Sequence, residues 1–174
     1  MKHRRNPLLR RVAEAGILTA VALILSYLEA VLPLSPGIPG VKLGLSHLVT
    51  VFALYRLPMS EAAVITLVRV LLSGFLFGNG VSIAYSLSGA MLSIAVMLIL
   101  RRFPVFSSVG VSIAGGVAHN LGQLTCAALM MGTVSLGWYL PVLLISGSLS
   151  GAVIGLVGGI LIRRVPGNTH VNKK

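Results

Sequence analysis

The stretch that decides the fold is SEAAVITLVRVLLSGFLFGNGVSIAYSLSGAMLSIAVMLILRR, residues 60–102. It contains most of the apolar run 59–78 and all of the run 81–100, and it ends in Arg101 and Arg102. A bilayer core about 30 Å thick is crossed by about 20 apolar residues in a helix. Both runs have this length, so the stretch predicts two neighbouring helices that cross a membrane in opposite directions.

The composition of the whole chain agrees with a membrane protein. Of the 174 residues, 56% are hydrophobic and 10% are charged, whereas an ordinary soluble domain has about a quarter charged residues. The acids of the sequence are Glu14, Glu29 and Glu61, and aspartate is absent from it. These values exclude a soluble fold, because too few polar groups are present to cover a globule in water.

Six apolar segments are predicted to cross the membrane, so the expected fold class is all-α, a polytopic six-helix bundle. They form a transmembrane domain, 12–164, between a basic cytoplasmic N-terminus, 1–11, and a tail, 165–174, that is expected to be disordered. The second segment is short, and a tilted or partly re-entrant helix is the alternative there. The segments are 12–32, 41–56, 59–78, 81–100, 108–131 and 137–162.

The positions of the basic residues predict the orientation of the bundle, because lysine and arginine are retained on the cytoplasmic side of short loops. With both termini cytoplasmic, twelve of the fourteen basic residues lie on that side, and the two exceptions are Lys42 and Arg69. The net charge of +11 is therefore interpreted as a topology signal and not as a nucleic-acid-binding surface. The expected location is the cytoplasmic membrane of a bacterial cell.

Small residues indicate where helices approach closely. The last segment carries glycines at intervals of four from Gly147 to Gly159, and in lipid such a ridge allows another helix to pack against it. The first segment has a shorter stripe formed by Gly16 and Ala20. Two interpretations of this stripe remain open, which are packing within the chain and contact with a partner protein.

Arg69 is the strongest single indication of a functional site, because it falls in the middle of an apolar segment. An arginine at the bilayer centre costs on the order of 3 kcal/mol or more, so its side chain must face protein, water or an anion. Thr66 and Ser73 are expected to share its helix face. Either Arg69 binds an anionic ligand, or it is a structural arginine bonded to backbone carbonyls or to Glu29.

A second polar group lies in the fifth segment, where His119, Asn120 and Gln123 fall within about one turn and are expected to share a face. Three imidazole and amide side chains at one depth indicate the wall of a pocket, and a hydrogen-bonded core is the alternative.

These groups and several others are expected to meet at a cavity that opens to the outside, and the positive charge there favours an anionic ligand. Glu29 is expected either to contact this ligand or to pair with Lys42. No metal or cofactor is predicted, because the histidines lack further ligands of the types that metal sites need. The candidate substrate-binding residues are Lys42, His47, Arg69, Asn79, Tyr85, His119, Asn120 and Gln123.

Two stretches, PGIPGVKLGLSHL at 36–48 and RVLLSGFLFG at 69–78, resemble the heptaprenyl diphosphate synthase component I family, which is also called the Gx transporter family. That family is in turn similar to the S-components of energy-coupling-factor (ECF) vitamin transporters, and the likeness covers residues 10–164. The resemblance implies a six-helix S-component that captures a substrate from outside. It also implies docking on a transmembrane T-component driven by two ABC-type ATPases. Gly16 and Ala20 occupy the place of the small-x-x-x-small docking motif.

Three classes of function remain open: an ECF-type substrate-binding subunit, a non-catalytic membrane partner of an isoprenoid or quinone pathway enzyme, and an autonomous transporter or channel. The chain itself is not expected to be an enzyme. It has no Walker A sequence for ATP hydrolysis, and without aspartate it lacks the acidic pairs of diphosphate chemistry. The first class is favoured, with a small anionic molecule as the substrate and a precursor of isoprenoids or quinones as one candidate.

Overall fold

A computed structural model of the chain describes residues 7–32 and 43–165. Within these residues the architecture is all-α, as predicted, and contains six α-helices, one short 3-10 helix and no strand. The α-helices are α1 (Pro7–Val31), α2 (His47–Arg56), α3 (Met59–Phe77), α4 (Gly80–Leu100), α5 (Ser108–Met131) and α6 (Leu140–Arg164). The 3-10 helix, Ser135–Tyr139, leads directly into α6. The predicted tail at 166–174 and the beginning of the N-terminus at 1–6 lie outside the described residues.

In the described part of the chain, three helical segments are long and apolar enough to cross a membrane, namely α3, α4 and the continuous stretch Ser135–Arg164. Their apolar side chains face outward, as with Ile145 and Leu149, which are 70% and 68% exposed. Because α2 has ten residues, it rises only about 15 Å and is too short to cross a core of about 30 Å by itself. The chain is therefore a membrane-embedded helical bundle, and six crossings stay a prediction.

The short helix α2 is enclosed by the rest of the bundle. It packs against α1, α3 and α6, and the side chains of Val51 and Leu54 are fully buried. The core around them includes Ile65 of α3, Met97 of α4, Val111 of α5 and Ile154 of α6. This central position allows α2 to bring polar side chains of several helices together at its N-terminal end.

The glycine ridge of α6 packs against α5, which confirms that another helix lies close to it. A Cβ atom added at Gly151 would lie 2.7 Å from the Cα of Ile113, and one at Gly155 would lie 2.8 Å from the Cα of Val109. Real Cβ atoms do not approach backbone this closely, so only glycine fits at these positions. The close backbone approach is the way in which helices associate where water does not drive them together.

Two arginines at helix ends hold the C-terminal end of α2 in place. Arg56 donates hydrogen bonds through Nη2 to the carbonyls of Ile162 and Val165 at the end of α6. Arg101 donates through Nη1 to the carbonyl of Leu54 in α2. The last carbonyls of a helix have no partner within the helix and carry partial negative charge, so these guanidinium groups stabilise both ends.

Candidate functional site

Arg69 of α3 lies inside the bundle and points toward the start of α2. Only 7% of the residue is exposed, and Nη1 donates a hydrogen bond of 2.7 Å to the Oγ of Ser46. One turn earlier, Thr66 contacts Thr50 of α2 through a hydrogen bond of 3.2 Å between the two hydroxyl groups. Thr66 and Arg69 of the polar face predicted for α3 are therefore directed at α2, whereas the hydroxyl of Ser73 bonds to the carbonyl of Val70 within α3.

The buried Nε of Arg69 has no hydrogen-bond partner among the residues that the structure describes. A buried N–H of a charged group is costly to leave without an acceptor. If Arg69 were a structural arginine, its guanidinium would be expected to bond to backbone carbonyls or to Glu29. Within residues 7–32 and 43–165, neither forms a hydrogen bond or ion pair with this guanidinium. Arg56 also has a buried Nε without a partner, but its Nη2 donates to two carbonyls.

Two imidazoles contact each other at the start of α2, and one of them, His47, lies near this arginine. The ring of His47, which opens α2, meets the ring of His119 of α5 edge to face, with centroids 5.0 Å apart and an angle of 74° between the ring planes. The Nε2 of His47 lies 3.2 Å from the Oγ of Ser93 in α4. His47 is also close enough to Arg69 for their charges to interact. Helices α2, α3, α4 and α5 therefore contribute to one polar cluster.

The polar residues of α5 do not share one face, contrary to the expectation from their spacing. His119 and Gln123 face α4, where a Cβ atom added at Gly89 would lie 3.0 Å from the Cε1 of His119 and 2.7 Å from the Cγ of Gln123. Asn120 faces α6, and its Nδ2 donates to the carbonyl of Leu143 at 2.7 Å and to the Oγ of Ser146 at 3.3 Å. Consecutive residues of a helix are about 100° apart, and because α5 lies between α4 and α6, this angle separates Asn120 from the cluster.

Two other candidates lie on α4 or at its start. Asn79 is exposed and caps the helix, since its side chain accepts from the N–H of Ser82 while the Oγ of Ser82 accepts from the N–H of Asn79. This capping box gives Asn79 a local structural role. Tyr85 is half-buried and lies near Cys126 of α5. No hydrogen bond in the described part of the chain joins either side chain to Arg69 or His47.

Lys42 lies outside the described residues, so its predicted pairing with Glu29 has no structural description. The carboxylate of Glu29 accepts a hydrogen bond from the backbone N–H of Gly44, just before α2. Gly44 has a φ of +70°, a left-handed conformation that favours glycine. Glu29 also lies close enough to Arg69 to act on its charge. This contact holds the end of α1 beside the polar cluster.

The stripe of Gly16 and Ala20 is not covered by the described part of the chain. Both residues are exposed, and a Cβ atom added at Gly16 would have no other atom within 4 Å. Of the two interpretations left open by the sequence, packing within the chain is therefore wrong for the described residues. The stripe remains available for contact with lipid or with another protein.

Two side chains of the polar cluster were not predicted from the sequence. Ser46 and Ser93 were not expected at the site, although both bond to its central side chains. Ser46 could have been found from its position beside His47 in the sequence. Nothing in the sequence distinguishes Ser93 from the other serines of α4. Among the described residues, no three His, Cys, Asp or Glu side chains come together in a group that could hold a metal ion.

Comparison with known protein families shows to which family the chain belongs. The family described as heptaprenyl diphosphate synthase component I matches residues 18–161, which include every described side chain of the cluster. The chain belongs to this family. No curated protein matches the chain.

Proposed function

We propose that this family member is the substrate-binding subunit of an ECF-type uptake transporter in the bacterial cytoplasmic membrane. It captures a small anionic molecule from outside and docks on a T-component that is driven by ABC-type ATPases. The observation that carries this proposal is Arg69, which is buried in an apolar bundle with one N–H that has no acceptor in the described chain. A membrane protein keeps such a charge at considerable cost, and ligand binding explains the cost.

The open stripe on α1 supports docking to a partner. Small residues on a helix surface allow a second helix to approach its backbone closely, and Gly16 and Ala20 are exposed without such a neighbour among residues 7–32 and 43–165. The polar cluster and the stripe thus separate two tasks, with substrate binding at the start of α2 and partner contact on α1. ATP hydrolysis belongs to the partner chains in this proposal, and the chain itself is not an enzyme.

A second candidate function is a non-catalytic membrane partner of an enzyme that makes isoprenoid diphosphates or quinones. The observation that favours it is the description of the family, which names a component of heptaprenyl diphosphate synthase. This function requires a partner enzyme and a docking surface, but it does not require a buried arginine to bind a ligand. The two candidates therefore differ in whether Arg69 retains a small molecule.

The experiment that separates them is purification of the tagged protein from its native membrane, followed by mass spectrometry of the small molecules that it retains. The wild type and an Arg101→Lys control are expected to carry the same anionic compound, because Arg101 bonds to a carbonyl away from the cluster. Arg69→Ala is expected to lose this compound. If all three samples retain no compound, or the same one in equal amount, the substrate-binding function is wrong.

A further inference from the structure

One edge of the Arg69 guanidinium, formed by Nε and Nη2, does not bond to Ser46. A guanidinium presents its N–H groups in a fixed plane, and those of Nε and Nη2 point in the same direction while Nη1 points elsewhere. Nη1 bonds to Ser46. Nε is buried without an acceptor, and in the part of the chain that the structure describes no acceptor bonds to Nη2.

We propose that the Nε and Nη2 groups of Arg69 together bind an oxyanion group of the substrate, either a carboxylate or a phosphate. The proposal rests on the proposed function, because it names the chemistry by which the subunit holds its substrate. Two parallel N–H groups match two oxygens of one oxyanion, and such bidentate bonds are among the strongest that side chains form. A single-atom anion such as chloride can reach both N–H groups only through bent hydrogen bonds, so it is expected to bind more weakly.

Ser46 acts as a positioning residue in this arrangement. It lies directly before α2, and its bond of 2.7 Å to Nη1 fixes the plane of the guanidinium. A fixed plane lowers the entropy that an arginine side chain loses when it binds. Arg56 and Arg101 are held differently, because their Nη groups donate to backbone carbonyls and not to a side-chain hydroxyl.

The surroundings of Arg69 select an anion over a cation. His47 and Ser93 share one hydrogen bond, and His119 lies against His47, so these neighbours of Arg69 bring no acidic group to it. The one acid near the cluster is Glu29, whose carboxylate is bonded to the N–H of Gly44. Glu29 partly balances the positive charge of Arg69, but the two form no ion pair among the described residues.

The test is a titration of the Arg69 Nε–H resonance by NMR, with the ¹⁵N-arginine-labelled protein in nanodiscs of neutral lipid. Loss of one resonance in Arg69→Lys assigns the signal. Acetate and phosphate are expected to shift it saturably, whereas chloride at equal ionic strength shifts it less and saturates at higher concentration. The Nε–H of Arg101 serves as an internal control and is expected not to move.

Three outcomes would overturn the proposal. They are no shift with either oxyanion, an equal shift with chloride, and a shift that appears only when phosphatidylglycerol is added to the nanodisc. The last result would assign the site to a lipid headgroup. Ser46→Ala is expected to weaken acetate and phosphate binding several-fold without abolishing it, and an unchanged affinity would remove Ser46 from its positioning role.

The proposed function fails separately from this site. If no transporter partner copurifies with the chain while acetate and phosphate still shift the Arg69 signal, the oxyanion site stands and the uptake function is wrong. If the transporter partners copurify and neither oxyanion shifts the signal, the uptake function stands and the site is overturned.

Discussion

The rings of His47 and His119 meet edge to face with their centroids 5.0 Å apart, although 72 positions separate the two residues in the sequence. His47 opens α2 and His119 lies within α5, so this contact joins the enclosed short helix to the outer bundle. Ser93 of α4 bonds to the same His47. The site is thus assembled around the first turn of α2, and changes there should affect ligand binding more than membrane insertion.

Replacement of Arg69 is expected to show whether this residue binds the substrate or stabilises the fold. Arg69→Ala should weaken binding of the copurified substrate by about 2–5 kcal/mol, because truncation leaves a desolvated anion without its partner. Arg69→Lys should restore binding only in part, since an ammonium lacks the planar fork. Substrate affinity and melting temperature are measured on the same detergent-solubilised samples. A structural arginine would give the reverse result, with a lower melting temperature without ligand and an unchanged affinity.

The stripe on α1 gives a prediction about docking. Gly16→Leu or Ala20→Leu should leave insertion and ligand binding intact and stop uptake, because a bulky side chain keeps the partner helix away. Gly80→Leu is the matched control, since Gly80 is also exposed and has nothing within 4 Å of an added Cβ. Uptake and copurification of the T-component are measured together. Normal values for both in the α1 variants would show that the stripe contacts no essential partner.

The glycine ridge gives a prediction about stability. Gly151→Ala should destabilise the bundle by about 1–3 kcal/mol, as expected for overpacking, because the new Cβ would lie 2.7 Å from the carbonyl oxygen of Ser112. Gly16→Ala adds the same methyl group to an open helix surface and should not lower stability, because alanine favours a helix more than glycine does. Thermal unfolding in detergent compares the two variants. Equal melting temperatures would contradict the close packing of α5 and α6.

Asn120 is expected to contribute to stability and not to binding. Asn120→Ala removes the hydrogen bonds from Nδ2 to Leu143 and Ser146, which should cost about 1 kcal/mol, near the value for hydrogen bonds between membrane helices. His119→Ala, one position earlier, should instead reduce substrate affinity. The same binding assay is applied to both variants. A larger loss of affinity in Asn120→Ala than in His119→Ala would return Asn120 to the site.

The sequence predicted the helices well because each depends on local composition. The six apolar segments, the short second helix and the close packing at the α6 glycines follow from residue type and spacing, and the structure confirms all three. The capping role of Asn79 could also have been predicted, since Asn-x-x-Ser before an apolar run is typical of a helix start. The same amide can cap a helix or contact a ligand, and the substrate-binding role of Asn79 stays a prediction.

The arrangement of the site was less predictable because it depends on how the helices are placed around each other. The spacing of His119 and Asn120 does not tell which of them faces α4 and which faces α6. The bond between Arg69 and Ser46 likewise requires α2 to be enclosed by the bundle. Charge and burial can be estimated for one residue from the sequence, but a partner on another helix cannot.

The central claim is that the chain is the substrate-binding subunit of an ECF-type transporter. The proteins that copurify with the chain test this claim most directly. The tagged chain is purified from its native membrane in mild detergent, and the copurifying proteins are identified by mass spectrometry. We expect a transmembrane T-component and ABC-type ATPases, lost in Gly16→Leu and retained in Gly80→Leu. Recovery of a prenyl diphosphate synthase subunit without any ATPase would contradict the account and establish the alternative role as an enzyme partner.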